Sequence, residues 1–250
     1  MKRLSFFLLA VVLLVGLGSC YRRTRTYPAL TEAAVREAIT VEDKSAIEWP
    51  PGLGELDVEL EQDMLKKNYY LVFDGSASMR GRKIDIAKTA VREFVNQVPP
   101  DASLGLFVFD FAGVFERAPL GSSRTQIIEE IDKVVASRST PLTSAVAHGY
   151  QMLSVQGVRQ LGYGEYNMVV VTDGAADNPA ALSRIVAEVL TDSPVVIHTI
   201  GYQIRGGHSL NQPGRIAYKS AENLEQLREG LQEVLAEAED FVVGEFQDTE

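Results

Sequence analysis

Residues 68–79 read NYYLVFDGSASM: an unbroken apolar run from Tyr69 to Phe73 that stops at Asp74 and turns into small polar residues. A run without alternation suits a strand covered on both faces, as in a parallel sheet with helices above and below. Three further runs of the same kind follow, Leu104 to Phe109, Asn167 to Thr172 and Val195 to Ile200. Between them apolar residues recur at helical spacing: Ile84, Ala87, Val91, Phe94 and Val95; Ile127, Ile128, Ile131, Val134 and Val135; Leu142, Val146 and Leu153. Asn178-Pro179 is a helix start, with Asn able to cap and Pro suited to the first helical position, and it leads into Leu182, Ile185, Val186 and Val189. A last helix is predicted from about Glu222 to Ala238, followed by an acidic tail at 241–250. Val114 to Arg117 follows Phe109 too closely for a crossover helix, so it is predicted to turn back as an antiparallel edge strand. The pattern predicts an α/β fold: a doubly wound, mostly parallel central sheet with one antiparallel edge strand and helices on both faces.

Composition narrows the function. The 250 residues are 46% hydrophobic and 23% charged, enough for a buried core without covalent staples. The single cysteine, Cys20, excludes an intramolecular disulfide and a thiolate metal site, so a metal would need oxygen or histidine ligands. A net charge of −10 argues against nucleic acid, whose binding rests on Lys and Arg neutralising phosphates. Of the three histidines, His198 alternates within a strand and reads as core, while His148 lies on a helix without ligand spacing. His208, beside Gly206-Gly207, reads as a solvated loop residue.

In an open α/β sheet, ligands sit beyond the carboxyl ends of the strands. Three segments put polar residues there: Asp74-Gly75-Ser76-Ala77-Ser78 after the first strand, Thr140 before Pro141-Leu142, and Thr172-Asp173-Gly174 after the strand that begins at Asn167. Two carboxylates and three hydroxyls, with neither thiol nor histidine, form a hard-oxygen set matched to Mg²⁺ or Mn²⁺. Asp110 to Ala112 and the segment from Gly201 to Gly214, with Gly207 and His208, are expected on the same rim as candidates for partner selectivity.

These loops resemble the von Willebrand factor type A domain and its metal-ion-dependent adhesion site, whose pattern is Asp-x-Ser-x-Ser, a Thr in a second loop and an Asp in a third. The matching residues are Asp74, Ser76 and Ser78; Thr140; and Asp173. Ser78-Met79-Arg80-Gly81 with Lys83 and Ala87-Lys88 is similar to the first loop and helix of bacterial members. Ser139 departs from the glycine that many relatives have before the Thr. The resemblance covers about residues 68–240 and implies a Rossmann-like domain that holds Mg²⁺ or Mn²⁺ with one coordination position open. That position would take an Asp or Glu carboxylate from a protein partner, with hydroxyl ligation by Ser76, Ser78 and Thr140. Asp74 and Asp173 would act directly or through water.

Lys2 and Arg3 precede an uncharged, mostly apolar run from Leu4 to Gly18, the layout of a secretory signal and too short to span a bilayer comfortably. Leu17-Gly18-Ser19-Cys20 resembles the bacterial lipoprotein signal, which implies cleavage of residues 1–19 and acylation of Cys20 as a membrane anchor. The alternative is an ordinary cleaved signal or a short anchor with an incidental cysteine. Tyr21 stands where an aspartate would signal inner-membrane retention, which in a Gram-negative cell favours the outer membrane. Residues 20–67 read as the lipidated N-terminus and a tether.

Catalysis lacks support in the sequence. There is no Gly-x-x-x-x-Gly-Lys-Ser/Thr loop, no Gly-x-Ser-x-Gly elbow and no His-Glu-x-x-His, and no base accompanies the oxygen cluster. The expectation is a binding module rather than an enzyme. Alternatives are an envelope scaffold that binds through another surface, or a metal-dependent phosphohydrolase using Asp74.

Overall fold

The computed structural model describes residues 49–50, 58–204, 208, 210–212 and 216–237. Residues 1–48, with the signal segment and Cys20, lie outside these, as do Gly207 and the acidic tail. Strand β1 (Lys67–Asp74) is buried at every position but its first. It is followed by a 3-10 turn (Ala77–Met79), helix α1 (Arg82–Gln97), β2 (Ser103–Asp110), β3 (Gly113–Ala118), α2 (Arg124–Asp132) and α3 (Leu142–Arg159). Then come β4 (Glu165–Thr172), α4 (Pro179–Asp192), β5 (Val196–Tyr202), β6 (Ala217–Ala221) and α5 (Leu224–Glu237).

The sheet order is β3-β2-β1-β4-β5-β6. All neighbours pair in parallel except β2 and β3, so the edge strand predicted around Val114 to Arg117 runs antiparallel as expected. Alternation along β1 divides the core. Tyr69, Leu71 and Phe73 pack with α1, α2 and α5, while Tyr70 and Val72 pack with α3 and α4 on the other face. Helix starts follow local chemistry: the Asn178 side chain accepts from Ala181 N at 3.1 Å with Pro179 beside it, and Ser123 Oγ accepts from Gln126 N at 3.2 Å.

Three local expectations need correction. Val135, placed on the α2 stripe, is 59% exposed, because the helix ends at Asp132 and Val135 belongs to the following loop. Strand β5 continues two residues past Ile200, to Tyr202. Strand β6 had no counterpart in the sequence reading, since Ala217–Ala221 is largely polar and lies at an open edge where one covered face suffices.

The chain ahead of β1 packs against the amino-end rim of the sheet. The Trp49 ring stacks on Tyr150 at 5.9 Å and meets Tyr166 edge-on at 5.6 Å. Glu61 N donates to Arg159 O at 2.8 Å, and the Gln160 amide donates to the carbonyls of Met64 and Lys66. Among the described residues no helix is long and apolar enough to cross a membrane.

Candidate functional site

Because β1 lies at the centre with β2 on one side and β4 on the other, the strand order reverses there while the strands stay parallel, and the crevice for ligands opens at the carboxyl ends of β1 and β4. Asp74 ends β1 and Thr172 ends β4, which brings segments nearly a hundred residues apart into contact. Asp74 is fully buried. Its Oδ1 accepts from Ser76 N at 2.7 Å, the turn that aims the two serines, and its Oδ2 accepts from Thr172 Oγ1 at 2.5 Å.

The other predicted residues converge on the same place. Ser76 Oγ and Ser78 Oγ stand 3.0 Å apart, and Ser78 Oγ donates to Asp173 Oδ1 at 2.5 Å. Thr140 is nearly buried, its N–H donating to Asp177 Oδ1 at 2.9 Å while its carbonyl accepts from Asp177 N at 3.0 Å. Gly174 shows how close the loops come: a β-carbon built there would lie 3.5 Å from both Ser78 Oγ and Thr140 Oγ1. Gly174 thus packs in ordinary contact with the first two loops, and the polar side chains of all three loops meet around one small hollow beside it.

Glycine 75 is required for a different reason. A β-carbon there would fall 2.7 Å from Asp110 Cβ and 2.8 Å from Val134 Cγ1, so only glycine lets the first loop lie against its neighbours. Hydrogen bonds from Gly75 N to Phe109 O at 2.9 Å and from Ser137 N to Gly75 O at 2.8 Å stitch that loop to β2 and to the segment after α2.

Electrostatics mark Asp74 as poorly solvated. Burial pushes the Asp74 carboxyl up to about 6, against the pull of hydrogen bonds from Ser76 and Thr172, and the neighbouring Asp173 charge adds to the rise. Two buried carboxylates with three hydroxyls around one hollow fit a hard dication, which would relieve the desolvation that Asp74 suffers. Among the described residues no three His, Cys, Asp or Glu side chains gather, so a cation here would depend on the hydroxyls as much as on the carboxylates. A cation also reaches the cluster: Lys83 Nζ lies 2.7 Å from Asp173 Oδ2.

Three candidates for the partner-binding rim fare differently. Asp110 is 1% exposed and spent: it pairs with Arg117 Nη2 at 2.7 Å and accepts from Ala112 N at 2.9 Å and Val135 N at 3.0 Å. It is a brace for the β2–β3 turn and offers nothing to a partner. His208 is buried rather than solvated. Its Nδ1 accepts from Leu210 N at 3.1 Å, which leaves Nε2 protonated to donate to Gly174 O at 2.6 Å, and burial holds the ring's pKa below the ordinary value. His208 therefore anchors the third loop from behind. Gly207 lies outside the described residues. The other two histidines match expectation: His198 is buried in β5, and His148 sits on α3 against Phe107 and Tyr70, away from the oxygen cluster.

Sequence reasoning assigned no role to Thr172, Asp177 or Lys83, and it placed His208 among the partner-binding candidates instead of behind the third loop. Thr172 had a signal, as the polar close of a wholly apolar strand; the contacts of the other three depend on loop packing.

The model of the von Willebrand factor type A domain matches residues 68–237. The chain belongs to that family. Its solved relatives share the fold at low identity. SpaC, a pilus adhesin of Lactobacillus rhamnosus GG, superposes with a TM-score of 0.57 at 15% identity over 72% of this chain, which spans only 30% of the adhesin. The von Willebrand domain of the type V pili tip protein Mfa5 from Porphyromonas gingivalis gives 0.57 at 10% identity over 74% of this chain and 99% of its own. Manganese-loaded TRAP protein of Plasmodium vivax gives 0.51 at 17% identity, over 69% of this chain and 74% of that one. No curated protein matches the chain.

Proposed function

We propose that this von Willebrand factor type A domain is a divalent-cation-dependent protein-binding module, anchored to the bacterial cell envelope through acylated Cys20. Asp74, Ser76, Ser78, Thr140 and Asp173 would form a metal-ion-dependent adhesion site for Mg²⁺ or Mn²⁺. The convergence of these five side chains around one hollow carries the reading. The bound ion would supply an electrophilic centre for an Asp or Glu carboxylate of a protein partner.

The chain's own residues set up that capture. The turn at Asp74 aims Ser76 and Ser78, the Asp177 bonds on both sides of Thr140 fix the second loop, and His208 with Thr172 holds the third. Since Ser78 gives its proton to Asp173, Ser78 Oγ keeps a lone pair for a cation, and Ser76 has the Asp74 carboxylate as an alternative acceptor for its own. The pilus adhesin and the pilus-tip protein among the relatives support an adhesive role, and the manganese-loaded relative supports the choice of ion. In a Gram-negative host the outer membrane is the proposed location.

The test is titration calorimetry of the full chain in detergent with Mg²⁺ and Mn²⁺, beside affinity capture from envelope extract in Mg²⁺ or EDTA with wild type and Thr140→Ala. Saturable cation binding and EDTA-sensitive capture lost in Thr140→Ala are expected; cation-independent capture, equal in both proteins, would refute the reading. Fractionation of a Cys20→Ser chain tests the anchor, with release from the membrane fraction expected.

A further inference from the structure

Lys83 sits where helix energetics disfavour it. It is the second residue of α1, at the positive end of the helix dipole, with Arg82 beside it. Asp85 is the acidic residue of that first turn, yet the Lys83 ammonium reaches instead across to the third loop. There it donates to Asp173 Oδ2 at 2.7 Å, while Asp173 Oδ1 takes the proton of Ser78. The Asp173 side chain is 0% exposed and that of Lys83 is 29% exposed, so the pair closes one wall of the hollow and keeps a route to solvent.

Both oxygens of Asp173 are thus engaged, one by a full positive charge. A carboxylate this buried requires a counter-charge, and here the lysine supplies it. The same ammonium repels any dication entering beside Asp173, and at so short a range in a poorly solvated site that repulsion is large.

We propose that Lys83 is a resident counter-cation of the site. It holds Asp173 and the third loop in place when no dication is bound, and it weakens dication affinity so that occupancy is a competition between ammonium and metal. Lys83 is a positioning residue acting through Asp173, and occupancy then follows the ambient cation concentration instead of being locked. This inference rests on the cation-binding reading above.

The experiment uses the full chain, solubilised in detergent, as wild type, Lys83→Gln, Lys83→Met and Lys83→Arg. Mg²⁺ and Mn²⁺ affinities are measured by calorimetry, and Tm is measured in EDTA and in saturating Mg²⁺. Gln keeps a hydrogen bond to Asp173 without charge, so it covers the case in which Met does not fold. Removal of the charge is expected to tighten Kd by about tenfold for both ions. In EDTA it should lower Tm by about 5 °C, a gap that Mg²⁺ closes. Lys83→Arg should stay within about threefold of wild type, because the charge is kept.

A purely structural lysine would lower Tm in EDTA and in Mg²⁺ alike and would not tighten Kd. Unchanged or weaker cation affinity in Lys83→Gln, with wild type binding normally, overturns the proposal and leaves the cation site standing. No binding of either ion by any of the four proteins overturns the cation reading and this proposal with it. Binding that appears only when the charge is removed counts in its favour.

Discussion

Both rims of the sheet bury polar side chains, but they use them differently. At the amino end, Asn68 Nδ2 donates to Gln160 Oε1 at 2.7 Å and to the carbonyls of Lys66 and Glu165, while Gln160 closes on Met64 and Lys66. Those partners are neutral and mostly main-chain, and Trp49 roofs the region with aromatic contacts. At the carboxyl end the partners are side chains, two of them carboxylates, and each hydroxyl keeps acceptor capacity. A network that closes on the main chain supports the fold; one that concentrates negative charge and spare lone pairs around a hollow has the chemistry that the proposed cation would need.

The comparison breaks most sharply at Asp74. Asp74→Asn is isosteric and removes the buried charge, so Mg²⁺ affinity should fall by ~100-fold or more while Tm in EDTA holds or rises, both read by calorimetry. A fall in Tm with cation affinity intact would reverse the roles assigned to the two rims.

At the opposite rim, Trp49→Ala should cost about 2–3 kcal/mol in urea unfolding, less than emptying a fully buried aromatic site because Trp49 is only half-buried, with no change in Mg²⁺ Kd. Loss of cation binding there would show that the rims are coupled.

His198, buried in β5 and hydrogen-bonded to Asn167 at 3.2 Å, is lowered by burial to about 4. Glu237 lies 3.4 Å from its other nitrogen but is mostly exposed and does not offset that burial. A histidine held neutral contributes stability that is complete above its unfolded value near 6.5 and is lost as pH falls from there toward 4, approaching about 3 kcal/mol. Asp74, raised to about 6, works with the opposite sign: without a dication its protonation favours the fold as pH falls from about 6 toward 4. Urea melts in EDTA from pH 7 to 4 should therefore show a steeper acid loss in Asp74→Asn than in wild type, and a flat or rising profile in His198→Gln.

The smallest effect is expected at the anchor of the third loop. His208→Ala should weaken Mg²⁺ binding about fivefold, through looser placement of Asp173, and His208→Gln should recover most of it by restoring a donor to Gly174 O. Equal affinity in all three proteins would remove His208 from the site's support.

The apolar run at 69–73 and the turn after Asp74 were enough to place a parallel strand and to put polar residues at its carboxyl end. All five candidate residues could be found in the same way, since each lies at, or within four residues of, the end of a strand or the start of a helix whose periodicity is strong. Strand β6 was illegible because an edge strand with one face open needs no apolar signature. Asp110 was misread for a related reason: its neighbour Phe111 is 64% exposed, and only the approach of Arg117 from β3 buries the carboxylate.

Periodicity and spacing along the chain determined the sheet, its edge and the identity of the oxygen cluster, because burial repeats locally every two or three to four residues. The tertiary structure alone decided which polar groups were already spent, as Asp110 and His208 are, and which charge faces the hollow, as Lys83 does. Those answers depend on distances between residues remote in sequence, and no local pattern encodes the approach of α1 to the loop after β4 or of Trp49 to Tyr166.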